Sequence, residues 1–132
     1  MGDLARNGAA PVVAIVDDDE AIRAALSRLV RTIGYEPSTF ASGEALLSLF
    51  GQVRPACVLT DIQMPGMSGL DLADELRRRR PDLPIALMTA YPSLASRDPA
   101  LAARAIEYME KPLDDRRLEA WLAEQIGDPP TG

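Results

Sequence analysis

Five side chains in this sequence have the types and placement that phosphoryl chemistry needs: Asp17, Asp18, Asp61, Thr89 and Lys111. Each stands at or just beyond the end of a short apolar run. Carboxylates crowded together repel, and each resists ionising unless a cation sits among them. Hard oxygen donors with one or two carboxylates in direct contact suit Mg²⁺ or Mn²⁺, which keep waters and leave room for a phosphate. A hydroxyl and an ammonium opposite the cation would close a clamp around a tetrahedral, doubly charged group. A carboxylate placed in line could then accept that group. Taken singly, each residue has a plainer use: acids at strand ends cap helices, Thr89 ends a strand, and Lys111 is surface charge. Their convergence on one edge favours the chemistry.

Convergence requires a scaffold, and the apolar pattern supplies one. Pro11 to Val16 is a continuous β-branched run, the pattern of a strand buried on both faces, and it ends in Asp17-Asp18-Asp19-Glu20. Ile22, Ala25, Leu26, Leu29, Val30 and Ile33 follow at helical spacing until Gly34. The acids at the start of that helix face the positive end of its dipole. Tyr35 to Phe40 contains Pro37 and is expected at a sheet edge. Ser42 caps a helix through Phe50, with Ala45, Leu46, Leu49 and Phe50 inward, and Gly51 to Pro55 is a turn.

A third strand, Cys57 to Asp61, leads into a stretch broken by Pro65, Gly66 and Gly69. Ser68 with Asp71 resembles a capping box and opens a helix to Arg79 or Arg80. The run Arg77 to Arg80 complements the end of that helix before Pro81; a nucleic-acid patch is the other reading. Pro84 to Thr89 is a fourth strand. Residues 92–104 favour helix, but Pro92 and Pro99 bracket the centre, so this helix should be shortened, split or shifted. Ala105 to Glu110 is a fifth strand. Asp114 to Ile126 is the last helix, with Leu118, Trp121, Leu122 and Ile126 on one face. Strands and helices in alternation make a doubly wound α/β sandwich. The carboxyl ends of its strands form the edge where open sheets hold ligands.

Composition narrows the chemistry. The chain has 132 residues, enough for one domain with its own core: residues 11–126, between tails at 1–10 and 127–132. A net charge of −6 argues against nucleic acid as the partner of the domain. With no histidine, Ser-His and His-metal chemistry are excluded. Lys111 is the only lysine among 14 basic residues, which calls for a specific reason. The single cysteine, Cys57, excludes an internal disulfide and fits a reducing cytoplasm. No apolar run reaches the length of a membrane span, and residues 1–11 do not read as a signal peptide.

Val12 to Glu20, the run Leu59 to Gly69, Met88-Thr89-Ala90 and Tyr108 to Pro112 together resemble a bacterial response-regulator receiver domain. This is the CheY-like phosphoacceptor module of two-component signalling, here similar to its FixJ-type branch. The five-stranded parallel order 2-1-3-4-5 is drawn from domains of this very kind. The resemblance implies that Asp61 accepts the phosphoryl group. It implies that Asp18 binds Mg²⁺ directly, Asp17 largely through water, and Gln63 through its backbone carbonyl. Thr89 would donate its hydroxyl, Ala90 would keep access open, and Lys111 would pair with a phosphoryl oxygen as a compact point charge. Tyr108 matches the switch aromatic, and Lys111-Pro112 a bond that is often cis. The implied donor is a histidine kinase or histidine phosphotransfer protein.

The chain ends after the last helix, so the expectation is a stand-alone cytoplasmic switch, not an enzyme. It would act by docking a partner or passing the phosphoryl group on. Pro99, Arg104 and Leu113 depart from the family pattern. They lie on the fourth helix, fifth strand and fifth helix, the face such domains use for partners and dimers. Two other readings compete. One is a degenerate receiver that binds partners without phosphorylation. The other is a haloacid-dehalogenase-type phosphohydrolase using Asp17-x-Asp19, against which Ala21 and the lack of room for a cap domain both speak.

Overall fold

A computed structural model describes residues 10–91, 99 and 106–127. The elements are β1 (Val12–Val16), α1 (Glu20–Ile33), β2 (Glu36–Phe40), α2 (Gly43–Val53), β3 (Cys57–Asp61), α3 (Gly69–Arg79), β4 (Ile85–Thr89), β5 (Glu107–Glu110) and α4 (Asp115–Ile126). The last of these is the fifth helix of the sequence reading. Five strands form one sheet in the order β2-β1-β3-β4-β5. Every pairing is parallel. Pro37 lies in β2, on the sheet edge, where its missing N–H costs no internal ladder bond.

The inner strands β1, β3 and β4 are buried on both faces, because successive side chains alternate across the sheet and helices cover each side. Ala14, Val16, Val58, Ile85 and Leu87 join α2 and α3 on one side. Val13, Ile15, Cys57, Leu59, Ala86 and Met88 join α1 and α4 on the other. Leu118, Trp121 and Leu122 are the buried face of α4, as the spacing implies. Tyr35 is buried in the second layer, and its hydroxyl donates to the Gly127 carbonyl at 2.8 Å, tying the end of α4 to the α1–β2 corner.

Local chemistry sets the helix ends. Asp19, Ser42, Ser68 and Asp114 cap α1, α2, α3 and α4 through their side-chain oxygens. Gly34 ends α1 at φ 120°, where a residue with a Cβ would be strained. The arginines closing α3 have local partners: Arg77 donates to the Leu83 carbonyl at 3.0 Å, Arg79 to the Leu47 carbonyl at 3.1 Å, and Arg78 and Arg79 pair with Glu75.

Two expectations fail at α2. The helix continues through Gly51 to Val53 and reverses only at Arg54, φ 49°, where a turn over Gly51 to Pro55 is expected. A mid-helix glycine costs about 1 kcal/mol. Phe50 and Val53 packing against the core on either side of it offset that cost. Leu49, expected inward, is 42% exposed. The inward stripe is instead Gly43, Leu46, Phe50 and Val53, and Leu49 falls between its turns. The expected break in helix 92–104 and the departure at Arg104 lie outside the described residues, except that Pro99 is helical and exposed.

Candidate functional site

Each acid is placed by the strand before it. β1 delivers Asp17 to the sheet edge, where its N–H donates to the Phe40 carbonyl at 3.1 Å and its carbonyl accepts from Arg23 at 2.8 Å. The Asp17 side chain is fully buried, and its Oδ1 accepts the Asp19 N–H at 2.9 Å. Asp18 is exposed beside it. Asp61 closes β3, and the next residue, Ile62, donates its N–H to the Met88 carbonyl of β4 at 3.1 Å. Among the described residues, Asp17, Asp18 and Asp61 bring one carboxylate oxygen each to within 4.8 Å of the others.

Lys111 crosses from the end of β5 to this cluster. Its Nζ lies 2.8 Å from Asp17 Oδ2 and 3.2 Å from Asp61 Oδ1, and its backbone N–H donates to the Thr89 carbonyl at 2.7 Å. The Lys111-Pro112 peptide bond is cis. Burial pushes the Asp61 carboxyl above its ordinary range; Lys111 pulls it back, and the Asp17 and Asp18 charges push it further up. Burial works against the Lys111 ammonium. The hydrogen bond and charge of Asp17, with the charge of Asp61, outweigh it and hold the lysine above its usual value. The site is therefore short of positive charge even with Lys111 in place. Clustered hard oxygen donors with that deficit fit a small divalent cation such as Mg²⁺.

The remaining sequence candidates surround this centre. Thr89 ends β4 nearly buried, and its Oγ1 accepts the Tyr91 N–H at 2.9 Å, which leaves the hydroxyl proton free for another acceptor. Ala90 and Gln63 are exposed in the loops after β4 and β3. Tyr108 is half-buried on β5 against the α2–α3 side of the core, with its carbonyl held by Arg117 at 3.0 Å. Asp19 is engaged elsewhere: its carboxylate accepts the Ala21 and Ile22 N–H groups at 2.8 and 3.3 Å.

Some positioning residues carry no readable sequence signal. Arg23 lies within α1, half-buried, and its helical spacing says nothing of its hold on Asp17. Gly69 is legible only as a breaker, yet a Cβ there would fall 2.1 Å from the Asp61 carbonyl oxygen and 2.9 Å from Ile62 Cα. The first turn of α3 thus packs directly on the backbone that carries Asp61. The Gly69 N–H donates to the Ile62 carbonyl at 2.8 Å and closes the loop between them.

Comparison with known proteins agrees with this geometry. The family described as response regulator receiver domain matches residues 13–123. The chain is 38% identical over 103 residues to the DNA-binding transcriptional regulator NtrC of Salmonella typhimurium, covering 78% of this chain and 22% of NtrC. It is 37% identical over 118 residues to the response regulator protein TmoT of Ectopseudomonas mendocina, covering 89% of this chain and 54% of TmoT. It therefore spans about half or less of these curated relatives. The response regulator TrrA of Thermotoga maritima, solved in complex with Mg²⁺-BeF, superposes with a TM-score of 0.79 at 34% identity, covering 88% of this chain and 99% of TrrA.

Proposed function

The chain belongs to the response regulator receiver domain family, and we propose that it is a phosphorylation-activated switch whose phosphoacceptor is Asp61. The observation that carries this reading is the single cluster at the ends of β1, β3 and β5, in which Lys111 bridges Asp17 and Asp61 beside Asp18. The Mg²⁺-BeF complex of TrrA supports it. The donor is a histidine kinase or histidine phosphotransfer protein, since this chain contains no histidine of its own.

An Asp61 carboxylate oxygen attacks phosphorus in line. The new P–O bond forms as the donor's P–N bond breaks, and the electron pair of that bond leaves with the donor imidazole. Asp18, Asp61 and the Gln63 carbonyl would hold a Mg²⁺, with Asp17 reaching it through water, and that ion would supply charge neutralisation at the phosphoryl oxygens. Lys111 shifts from the carboxylates to a phosphoryl oxygen. Thr89 donates its free hydroxyl proton to another, and Ala90 leaves the approach open. Displacement of Thr89 toward the phosphoryl group vacates space that the Tyr108 ring takes up, carrying the signal to β5 and α4.

Acetyl phosphate with Mg²⁺ is expected to add one phosphoryl group, read by intact mass, and Asp61→Asn to abolish the addition. Unchanged labelling in Asp61→Asn would sink the assignment. Absence of labelling in the native chain would favour the degenerate-receiver reading. The phosphohydrolase reading loses support from Asp19, because the second acid of its Asp-x-Asp motif is occupied in capping α1.

A further inference from the structure

We infer that Glu44, in the first turn of α2, is a positioning residue for the loop after Asp61, and through that loop for the Gln63 carbonyl. The inference rests on the function proposed above. The loop from Ile62 to Ser68 is fastened at its ends by backbone hydrogen bonds, from Ile62 N–H to Met88 and from Gly69 N–H to Ile62. Its middle has a different support. The Met67 N–H donates to Glu44 Oε2 at 3.3 Å, across 23 residues of sequence. Gly66, at φ +77°, passes so close that a Cβ there would lie 3.1 Å from the same oxygen. The Met67 sulfur sits where a Cβ on Gly43 would come within 3.1 Å.

The first turn of α2 therefore offers the loop two things, a residue without a side chain under Met67 and a carboxylate acceptor beside it. An acid at a helix start is also favourable to the helix dipole, whatever it touches. The dipole explains a carboxylate at this position. It does not explain why Met67 and Gly66 both close on that carboxylate. Gln63 lies in the chain between Asp61 and this contact, so holding the loop at Met67 also restricts where the Gln63 backbone can sit. Partners bonded directly to a metal's ligands orient those ligands and raise affinity; Glu44 acts one stage further out, on the backbone that carries Gln63.

The test compares the native chain with Glu44→Ala, Glu44→Gln and Ser42→Ala. Mg²⁺ affinity is read by amide chemical-shift titration, and exchange of the Met67 amide proton is read without Mg²⁺. Glu44→Ala is expected to weaken Mg²⁺ binding by about threefold, the effect of losing one modest hydrogen bond, and to speed Met67 exchange. Glu44→Gln keeps an acceptor oxygen and is expected to restore most of both. Ser42→Ala removes the α2 cap and lowers the melting temperature while leaving Mg²⁺ affinity unchanged. Native affinity in Glu44→Ala, failure of Glu44→Gln to rescue, or an equal loss in Ser42→Ala would each overturn the inference. Met67 exchange decides the contact even if the native chain takes up no Mg²⁺, an outcome that would overturn the proposed function instead.

Discussion

Asp61 is held in a conflict that its own fold creates. Burial and the neighbouring carboxylates raise its pKa, and Lys111 only partly compensates. A carboxyl whose folded-state value exceeds its unfolded value adds stability while protonated and loses that contribution as pH climbs through the raised value. Without Mg²⁺, ionised Asp61 therefore costs stability at neutral pH. Asp61→Asn removes that charge while Lys111 keeps Asp17 as a partner. Its melting temperature in chelator at pH 7 is expected to exceed that of the native chain. The gain should fade as pH falls into the range where native Asp61 is protonated. An equal gain at acid pH would point to a cause other than charge. At this scale the sequence was informative where chemistry and strand ends coincide. Asp17, Asp61 and Lys111 each follow an apolar run, and the scarcity of lysine singled out Lys111. Arg23 and Glu44 were not legible, because their contacts depend on how α1 and α2 are turned, which helical spacing alone leaves open.

Among the elements, α3 is the one that must not move. Its first residue, Gly69, sits against the Asp61 carbonyl, and Gly69→Ala would force a Cβ into a space 2.1 Å from it. The obstacle is backbone, so no side chain can rotate away, and the cost is expected to be about 3 kcal/mol or more. Phosphoryl labelling should fall as well, since the displaced backbone carries Asp61, the proposed phosphoacceptor. Gly51→Ala is the contrasting change. Nothing lies within 4 Å of the added carbon, and the site is helical. That variant is expected to gain about 1 kcal/mol. Chemical denaturation of both reads the opposite signs, and equal signs would contradict this account of α2 and α3. The same glycine explains why the end of α2 was misread from sequence. Glycine punctuates chains on average, but here the apolar spacing through Val53 outweighs it. The ends of α1 and α3 were legible because Gly34 and Pro81 agree with the apolar period in stopping them.

The whole molecule is a sheet covered on both faces, and Cys57 reports on its integrity. Its side chain is inaccessible, and burial pushes the thiol up to about 12, with only slight relief from Arg80. A neutral, covered thiol does not alkylate. Modification of the native chain is expected to occur only through global opening, with a denaturant dependence equal to that of complete unfolding. A shallower dependence would mean that β3 opens locally. The parallel sheet was legible because its inner strands read as continuous apolar runs separated by helical periods, while the strand order came with the family resemblance. No run of residues, however, states that Lys111 will lie 2.8 Å from Asp17, a contact between positions 94 apart in the chain. That contact has a consequence in time. A ribosome makes Asp17, Asp18 and Asp61 well before it makes Lys111, and β5 must then add to the edge of the sheet. A nascent chain that has not yet threaded Lys111 into place holds its acid cluster without the ammonium that bridges Asp17 and Asp61. The order of synthesis thus leaves the charge balance of the cluster incomplete until β5 has been made and added to the sheet.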